Sequence, residues 1–221
     1  MLKAVIFDLD GTLTNSDKVH FQVFQDFFAR HNVALNHDLY KEKVSGRQNV
    51  AILADFLPDL PQNEAEAFSD RKEATFRQIA KGQITPLPGL IALLEQIQDR
   101  GLAKAVVTNA PPENATFMLS ELNLEDTFHP VVIADELPRG KPDPLPYQTA
   151  LDKLGITASE AIAFEDSASG IRSATAAGIQ TIGMTTTLNP PDLLALGADR
   201  AIADFTDPYV QTLLTQAAER V

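Results

Sequence analysis

A short apolar segment near the N-terminus ends in two acidic residues. Residues 4–7, Ala-Val-Ile-Phe, are apolar without alternation, which is typical of a strand buried on both faces inside a parallel sheet. Asp8 and Asp10 follow at positions i and i+2, so in extended backbone both carboxylates point to the same side. Gly11 then allows a close approach by backbone or ligand. The segment predicts an acidic site, suited to a divalent cation and a phosphate, at the end of a buried strand.

Two other interpretations of this acidic turn have to be weighed. A calcium-binding loop is one, since Asp8 and Asp10 match positions 1 and 3 of the twelve-residue pattern. That pattern also requires Gly at position 6 and Glu at position 12, where this chain has Leu13 and Val19. The sequence therefore excludes the calcium loop, whereas a surface turn that happens to be acidic stays open at this point.

The same stretch resembles the first motif of the haloacid dehalogenase-like superfamily, Asp-x-Asp-Gly-Thr/Val after a hydrophobic strand. Here the motif reads Asp8-Leu9-Asp10-Gly11-Thr12. The resemblance implies a magnesium-dependent phosphotransferase in which Asp8 takes the phosphoryl group as an aspartyl phosphate. It also implies that Asp10 acts as the general acid and base.

Length and composition exclude several classes of protein. The chain has 221 residues, of which 44% are hydrophobic and 22% charged, so it suits one substantial globular domain with a smaller insertion. It has no run of about 18 apolar residues, no signal-peptide pattern and no cysteine, so we expect a cytoplasmic protein. The net charge of −12 argues against nucleic acid or an anionic membrane as a partner.

Helical patterns follow the first strand without a second strand. Ser16 is the predicted N-cap of a helix over 16–31, in which phenylalanines recur at three- and four-residue spacings. Further helices are predicted at 38–44, 47–57 and 62–81. Because a parallel sheet normally resumes after one crossover helix, four successive helices predict a separate inserted domain. We place this helical cap domain at residues 16–83.

Beyond Pro88, buried strands and helices alternate. Strands are predicted at 104–108, 130–134, 161–165, 179–183 and 200–203, and helices at 89–100, 112–123, 144–154, 168–177, 190–196 and 206–220. This alternation predicts an α/β fold with a doubly wound, Rossmann-like parallel sheet. The predicted catalytic core comprises residues 1–15 and 84–221.

Further polar residues follow the predicted strands, where ligands bind in such sheets. Thr108 and Asn109 either cap the next helix or hold phosphate oxygens, and they resemble the second motif of the superfamily. Lys141 precedes Pro142, which favours an extended backbone that projects the amine. The run from Gly140 to Pro144 resembles the third motif, whose lysine neutralises charge between the nucleophile and the phosphate.

Glu165, Asp166 and Ser167 follow the strand 161–165. Asp166 or Ser167 is a candidate N-cap of the next helix, but capping does not explain Glu165. Magnesium requires a cluster of oxygen ligands of this kind opposite Asp8 and Asp10. The run resembles the fourth motif, which implies that Asp8, the Asp10 carbonyl and Asp166 bind Mg²⁺, with Glu165 as an additional or alternate ligand.

The helical insertion is expected to select the substrate. His20, Arg47 and Lys72 are its candidate substrate-binding residues, together with Thr108, Asn109 and Lys141 of the core. A packed or solvated histidine is the simpler interpretation of His20, and solvated helix-surface charge that of Lys72. Arg47 lies in a segment, Val44 to Arg47, that resembles a substrate-binding loop of β-phosphoglucomutase with the spacing shifted by one residue.

Four motifs in order predict a phosphatase that acts on a small phosphorylated metabolite. A phosphomutase of the β-phosphoglucomutase type is the alternative, and a non-catalytic phospho-receiver module is a remote one. Receiver domains are shorter, lack a helical insertion and carry the phosphorylated aspartate on a later strand. We expect a monomer or a small homo-oligomer.

Overall fold

A six-stranded parallel sheet lies at the centre of the molecule. The structure is a computed structural model that describes residues 1–219, so the end of the predicted helix 206–220 and residue 221 lie outside the described residues. The strands are β1 Ala4–Phe7, β2 Ala103–Thr108, β3 Val131–Ile133, β4 Ala161–Glu165, β5 Gln180–Met184 and β6 Arg200–Ile202. Their order is β3-β2-β1-β4-β5-β6, and all neighbours are parallel. The predicted doubly wound α/β fold is confirmed.

Helices fill most of the chain between the strands. They are α1 Asp17–Ala29, α2 His37–Lys43, α3 Asn49–Phe56, α4 Gln62–Ala80, α5 Leu90–Asp99, α6 Pro112–Glu121, α7 Leu145–Leu154, α8 Ala168–Ala176, α9 Pro190–Ala195 and α10 Pro208–Glu219. Every predicted helix and strand agrees with an observed one to within two residues at each predicted end that lies within residues 1–219. Across residues 1–219, no helix has both the length and the apolar composition needed to cross a membrane.

Strand β1 is buried on both faces, as its unbroken apolar run predicts. Val5 and Phe7 contribute to one apolar cluster, while Ile6 contributes to a second cluster. Since successive side chains of a strand point to opposite faces, the two clusters lie on opposite faces of the sheet. The ring of Phe7 stacks on Phe164 of β4 with 5.5 Å between centroids. This packing holds β1 rigidly between its neighbours.

The order of the strands reverses next to β1. Strands β2 and β3 lie on one side of β1, and β4 to β6 lie on the other. Phe7 pairs with Val106 of β2 and Phe164 of β4, so Asp8 emerges between the ends of both neighbouring strands. Ligands of doubly wound sheets bind beyond the carboxyl ends of strands at such a reversal.

Helices α1 to α4 lie between β1 and β2 in the chain. Phe24, Phe27 and Phe28 of α1 are buried, and Phe28 packs against Phe68 of α4 with ring centroids 5.8 Å apart. Their apolar cluster is continuous with the one that contains Phe7 of the sheet. The helical insertion is therefore seated on the core through apolar packing, while its domain boundaries, 16–83 against 1–15 and 84–221, stay a prediction.

Ser16 has a different role from the predicted one. It occupies the N-cap position of α1, but its side chain makes no capping hydrogen bond. Its hydroxyl instead donates to Asp10 Oδ1 at 2.5 Å. An ionised carboxylate makes stronger hydrogen bonds than a neutral group does, which explains why the hydroxyl turns to Asp10.

Candidate active site

Three carboxylates meet at the ends of β1 and β4. One oxygen from each of Asp8, Glu165 and Asp166 lies within 4.8 Å of the others. All three residues are buried. They converge because β1 and β4 are parallel neighbours whose registers place Phe7 beside Phe164. The sequence predicted this cluster from the strand ends, and its all-oxygen character suits a hard divalent cation.

Lys141 places a cation beside this cluster. Its Nζ lies 2.5 Å from Asp8 Oδ1 and 2.6 Å from Glu165 Oε1, and it also donates to the Val107 carbonyl at 2.7 Å. Glu165 accepts a further hydrogen bond from the Tyr147 hydroxyl at 2.7 Å. Lys141 is thus fully engaged, and its amine lies between the proposed nucleophile and a neighbouring acid.

Asn109 holds the loop that carries Lys141. Its Oδ1 accepts from the Lys141 backbone N–H at 3.1 Å, and its Nδ2 donates to the Lys141 carbonyl at 3.2 Å. The same Nδ2 donates to the carbonyl of Gly46 in the helical insertion at 2.9 Å. The Asn109 amide therefore joins two loops, a positioning role that sequence reasoning missed.

Full ionisation of the three carboxylates would place more negative charge in the site than Lys141 neutralises. Burial raises the pKa of Asp8 from 3.8 to about 8, although Lys141 opposes the shift. Burial and then the neighbouring Asp8 raise the pKa of Asp166 well above its usual value. The carboxylates Asp8 and Glu165 raise the pKa of Lys141 despite its burial. A bound divalent cation would remove this imbalance, so the donor set fits the predicted Mg²⁺.

Gly11 and Ser167 allow the Asp166 carboxylate to face the site. A Cβ at Gly11 would overlap the Asp166 carboxylate, so the absence of a side chain there is a steric requirement. Ser167 caps α8 by accepting from the Gly170 N–H at 3.0 Å. Because Ser167 makes the cap, the Asp166 carboxylate is available to the site, where it accepts from the Thr187 hydroxyl.

Asp10 faces the helical insertion. Its Oδ1 accepts from Ser16 and lies 3.1 Å from His20 Nε2. Burial acts to raise the pKa of Asp10, but the hydrogen bond and charge of His20 and the hydrogen bond of Ser16 outweigh it and lower the pKa. Asp10 lies outside the three-carboxylate cluster and lines the same cavity as Asp8. Its predicted backbone contact to the metal stays a prediction.

His20 connects Asp10 to Lys72. The imidazole stacks on Phe76 with ring centroids 3.8 Å apart, and its Nδ1 lies 3.1 Å from Lys72 Nζ. Lys72 is only 2% exposed, so the expectation of solvated helix-surface charge is wrong. The reason is that α4 turns this face toward the site, where Glu73 accepts from Lys72 at 2.9 Å.

Glu73 is a buried residue of the site that sequence reasoning missed. It accepts hydrogen bonds of 2.6 Å from the side-chain amides of Asn49 and Asn114. Burial acts to raise the pKa of Glu73, but the charges of Lys72 and His20 and the hydrogen bonds from Lys72 and Asn49 lower it. No local pattern marks Glu73, because its partners come from α3, α4 and α6.

Thr108 and Arg47 line the same cavity but differ in their contacts. Thr108 Oγ1 accepts from the Ala110 N–H at 2.9 Å, and α6 has Pro111 rather than Thr108 at its N-cap. The helix-capping alternative is therefore wrong for Thr108. Arg47 pairs with Asp55 at 2.7 Å and donates to carbonyls of its own segment. Substrate binding by Thr108, Asn109, Lys141, Arg47, His20 and Lys72 stays a prediction.

Comparison with known proteins identifies the family. Residues 5–184 match the family described as haloacid dehalogenase-like hydrolase. The chain belongs to the haloacid dehalogenase-like hydrolases. Among curated relatives of this hydrolase, validoxylamine A 7'-phosphate phosphatase of Streptomyces hygroscopicus subsp. limoneus is 31% identical over 94% of this chain and 96% of the relative. Phosphorylated carbohydrates phosphatase of Thermotoga maritima is 30% identical over 85% and 88%. The predicted enzyme class, a hydrolase of this family with relatives named phosphatases, is confirmed.

Other similar proteins include one named for the alternative activity, a phosphomutase, and a solved structure with the same fold. The β-phosphoglucomutase of Bacillus subtilis is 27% identical over 96% of this chain and 94% of the relative. The crystal structure of CbbY from Rhodobacter sphaeroides in complex with phosphate has a TM-score of 0.82 and 26% identity, covering 94% and 96% of the two chains. The receiver-module alternative finds no support among these hydrolases and mutases.

Proposed function

We propose that this hydrolase is a Mg²⁺-dependent phosphatase that releases phosphate from a small phosphorylated metabolite. The observation that carries this proposal is the contact between Asp8 and Lys141, 2.5 Å long, beside two further buried carboxylates. A carboxylate, a fixed cation and a metal-binding cluster together meet the requirement of phosphoryl transfer for positioning and charge neutralisation. The chain has no cysteine, and the cytoplasm remains its predicted compartment.

Asp8, Asp166 and Glu165 would hold the Mg²⁺ with their carboxylates, and Asp10 with its backbone carbonyl. When bound, the cation supplies positive charge that offsets the negative charge of the carboxylates and the phosphate. Lys141 supplies a second positive charge beside Asp8, and Thr108 offers a hydroxyl to phosphate oxygens. These groups lower the repulsion between an anionic nucleophile and an anionic substrate.

The reaction proceeds in two steps at Asp8. A carboxylate oxygen of Asp8 attacks phosphorus, the bond from phosphorus to the leaving oxygen breaks, and Asp10 gives that oxygen a proton. Because the lowered pKa of Asp10 leaves it ionised in the free enzyme, Asp10 takes up this proton when the substrate binds. Asp10, now ionised, removes a proton from a water molecule whose oxygen attacks phosphorus, and the bond between Asp8 and phosphorus breaks. Each step leaves Asp10 in the protonation state that the next step requires. The intermediate is an aspartyl phosphate.

Phosphate release from a panel of phosphorylated metabolites tests the proposal. We expect sustained release with Mg²⁺, loss of release with a chelator, and recovery when Mg²⁺ is added back. Acid-quenched turnover samples should carry a phosphoryl mass increment on the peptide that contains Asp8. Release that continues at the same rate in excess chelator would contradict the metal requirement, and an unmodified peptide during turnover would contradict the intermediate.

A phosphomutase is the second candidate. The partly buried contact of His20 Nδ1 with Lys72 Nζ, 3.1 Å long, favours it because it links a cation to Asp10 through His20, and a mutase needs specific contacts to a second anionic group of its substrate. Thr12 in the first motif favours the phosphatase, since the mutase typically has Val there. Incubation with β-glucose 1-phosphate and a trace of the bisphosphate separates the two activities. We expect free phosphate, and glucose 6-phosphate accumulating faster than phosphate would identify a mutase.

A further inference from the structure

Tyr147 is a fully buried residue beside the active site that the proposed reaction does not use. It lies in the first turn of α7, the helix that follows the loop carrying Lys141. Its ring packs in the apolar cluster that contains Ile6 of β1 and Val107 of β2, and its hydroxyl donates to Glu165 Oε1 at 2.7 Å. A buried tyrosine normally finds such a partner, so the hydrogen bond becomes informative only through the other contacts of Glu165.

The same oxygen of Glu165 also holds the amine of Lys141. Lys141 Nζ donates to Glu165 Oε1 at 2.6 Å, so the ammonium group and the phenol meet at one carboxylate oxygen. Nζ also lies 5.3 Å from the centroid of the Tyr147 ring, a distance at which the face of an aromatic ring attracts a cation. Tyr147 therefore contacts Lys141 directly with its ring and indirectly, through Glu165, with its hydroxyl.

Three acceptors surround the ammonium group of Lys141. They are Asp8 Oδ1, the Val107 carbonyl and Glu165 Oε1, which together use all the N–H donors of the amine. The Val107 carbonyl belongs to the fixed backbone of β2, whereas Asp8 is the group that reacts under the proposed function. Glu165 is thus the side chain that has to hold the amine while Asp8 changes its bonding.

The Glu165 carboxylate is itself held from several sides. Its Oε2 accepts from the Asp166 backbone N–H at 3.2 Å, and a Cβ at Gly170 would overlap the carboxylate. Among the described residues, Lys141 and Tyr147 supply the hydrogen bonds to Oε1. Glu165 is fully buried, so water does not readily replace a donor that is removed. Loss of the Tyr147 hydroxyl would leave Oε1 with Lys141 alone.

We propose that Tyr147 is a positioning residue of this hydrolase, which sets the place of the Lys141 ammonium group through Glu165. The inference rests on the proposed function and adds to it a residue that acts through another. The hydroxyl meets part of the hydrogen-bonding capacity of Oε1, so the amine is shared between Glu165 and Asp8. Without the hydroxyl, the amine is drawn toward Glu165, and less positive charge faces the phosphoryl group in the transition state.

Tyr147→Phe tests this role, because it removes the hydroxyl and keeps the ring. With Mg²⁺ and p-nitrophenyl phosphate, we expect kcat to fall about tenfold, the size of effect that one hydrogen bond to a charged group can have. KM should change less than about threefold, because the cavity that receives the substrate is intact. A kcat equal to that of the wild type would overturn the inference, and so would a change confined to KM.

Two matched controls separate loss of this hydroxyl from a general loss of packing. Tyr209→Phe removes the hydroxyl of a half-buried tyrosine whose ring centroid lies 4.3 Å from the Arg200 guanidinium carbon, and it should keep the wild-type kcat. Ile179→Val removes one carbon from the apolar cluster that holds the Tyr147 ring, and it should lower Tm without changing kcat. An equal fall in kcat in Ile179→Val and Tyr147→Phe would overturn the inference, since packing alone would then explain both.

A double-variant cycle tests whether Tyr147 acts through Lys141. The Lys141→Met chain has no amine to position, so adding Tyr147→Phe should reduce its remaining kcat less than about twofold. Circular dichroism confirms that each variant is folded. Equal reductions by Tyr147→Phe in both backgrounds would show independent action and overturn the inference. If the Lys141 variants do not fold, the single variants and their controls decide.

The outcomes distinguish this inference from the proposed function. Mg²⁺-dependent phosphate release by the wild type, with Tyr147→Phe indistinguishable from it, would overturn the positioning role alone. No release by the wild type, from p-nitrophenyl phosphate or from any metabolite of the panel, would overturn the phosphatase assignment and the inference with it.

Discussion

At the scale of single residues, Lys141 shows how ion pairs and hydrogen bonds stabilise buried charges in the site. Its side chain is buried and contacts Asp8, Glu165 and a main-chain carbonyl. Buried ions persist only when they are paired and hydrogen-bonded. The arrangement therefore keeps the Asp8 carboxylate beside a cation before any substrate binds. Removing the Lys141 ammonium group should cost a large part of the free energy of unfolding.

Replacing Asp8 should abolish phosphate release with little effect on the stability of the fold. We expect Asp8→Asn to reduce phosphate release at least about a thousandfold, because the amide is not a nucleophile. The midpoint of thermal unfolding should stay within about 3 °C, since Lys141 keeps its contact with Glu165 and the variant buries one charge fewer. Circular dichroism and a phosphate assay measure both quantities. Near-wild-type turnover would contradict the assignment of Asp8 as the nucleophile.

Replacing Lys141 should affect both activity and stability. Lys141→Met leaves Asp8 and Glu165 as buried carboxylates without a cation, and breaking a buried pair of this kind costs about 3–5 kcal/mol. Urea unfolding at pH 7 measures the loss. Adding Glu165→Gln to this variant should recover part of the lost free energy of unfolding. Single and double variants of equal stability would show that Glu165 does not carry the unpaired charge.

At the scale of elements, α4 combines an apolar face with a buried polar pair. Phe68 and Phe76 pack in the core, while Lys72 and Glu73 between them are also buried. The ammonium group of Lys72 lies 4.2 Å from the centroid of the Phe24 ring. The helix therefore supplies both the packing of the insertion and polar groups that reach His20 and α6.

The buried pair Lys72 and Glu73 of α4 should make the free energy of unfolding depend on pH under acidic conditions. The pKa of Glu73 is lowered from 4.5 on folding, because Lys72 and His20 outweigh burial. Ionised Glu73 thus stabilises the fold above pH 4.5, and this contribution is lost as the pH falls below 4.5 through the lowered pKa.

Glu73→Gln should therefore make the free energy of unfolding decrease less steeply as the pH falls below 4.5. Urea unfolding at several pH values measures the slope. Glu64→Gln, an exposed change in the first turn of α4, serves as the control and should keep the wild-type slope. Identical slopes in Glu73→Gln and the wild type would contradict the ionised buried state of Glu73.

At the scale of the whole molecule, the metal-binding cluster should link cation binding to stability. Asp8 follows β1, Glu165 ends the neighbouring strand β4, and Asp166 follows Glu165. Unfolding separates these ligands, so a cation that binds only the folded chain stabilises it. Mg²⁺ at 100 times its Kd contributes about 2.7 kcal/mol, which corresponds to a rise of about 5–10 °C in Tm.

Thermal unfolding with Mg²⁺ and with a chelator measures this shift. Asp166→Asn should abolish most of it, since the amide is a weaker ligand and lacks the charge. Arg200→Gln, an exposed change on β6, should leave the shift intact. A shift of the same size in Asp166→Asn would place the cation outside the cluster.

Local patterns in the sequence determined the fold and the central residues of the candidate site. An unbroken apolar run predicts a strand buried on both faces, and strand ends in a parallel sheet meet at one edge. Asp8, Glu165 and Asp166 could therefore be placed together before any contact was known. Lys141 does not end a strand, and its place beside Asp8 was predicted from the resemblance to the third motif. The bounds of the elements followed from periodicity, turn residues and prolines, which act over only a few positions.

Only the tertiary structure decided which polar groups become partners. Lys72 is buried because α4 packs against α1 and α6, although its neighbours in the chain suggest a solvated surface. Asn109 supports Lys141 from 32 positions away, and Glu73 of α4 lines the same cavity as Asp135, which follows β3. These contacts depend on distances between elements, and no local pattern of residues encodes such distances.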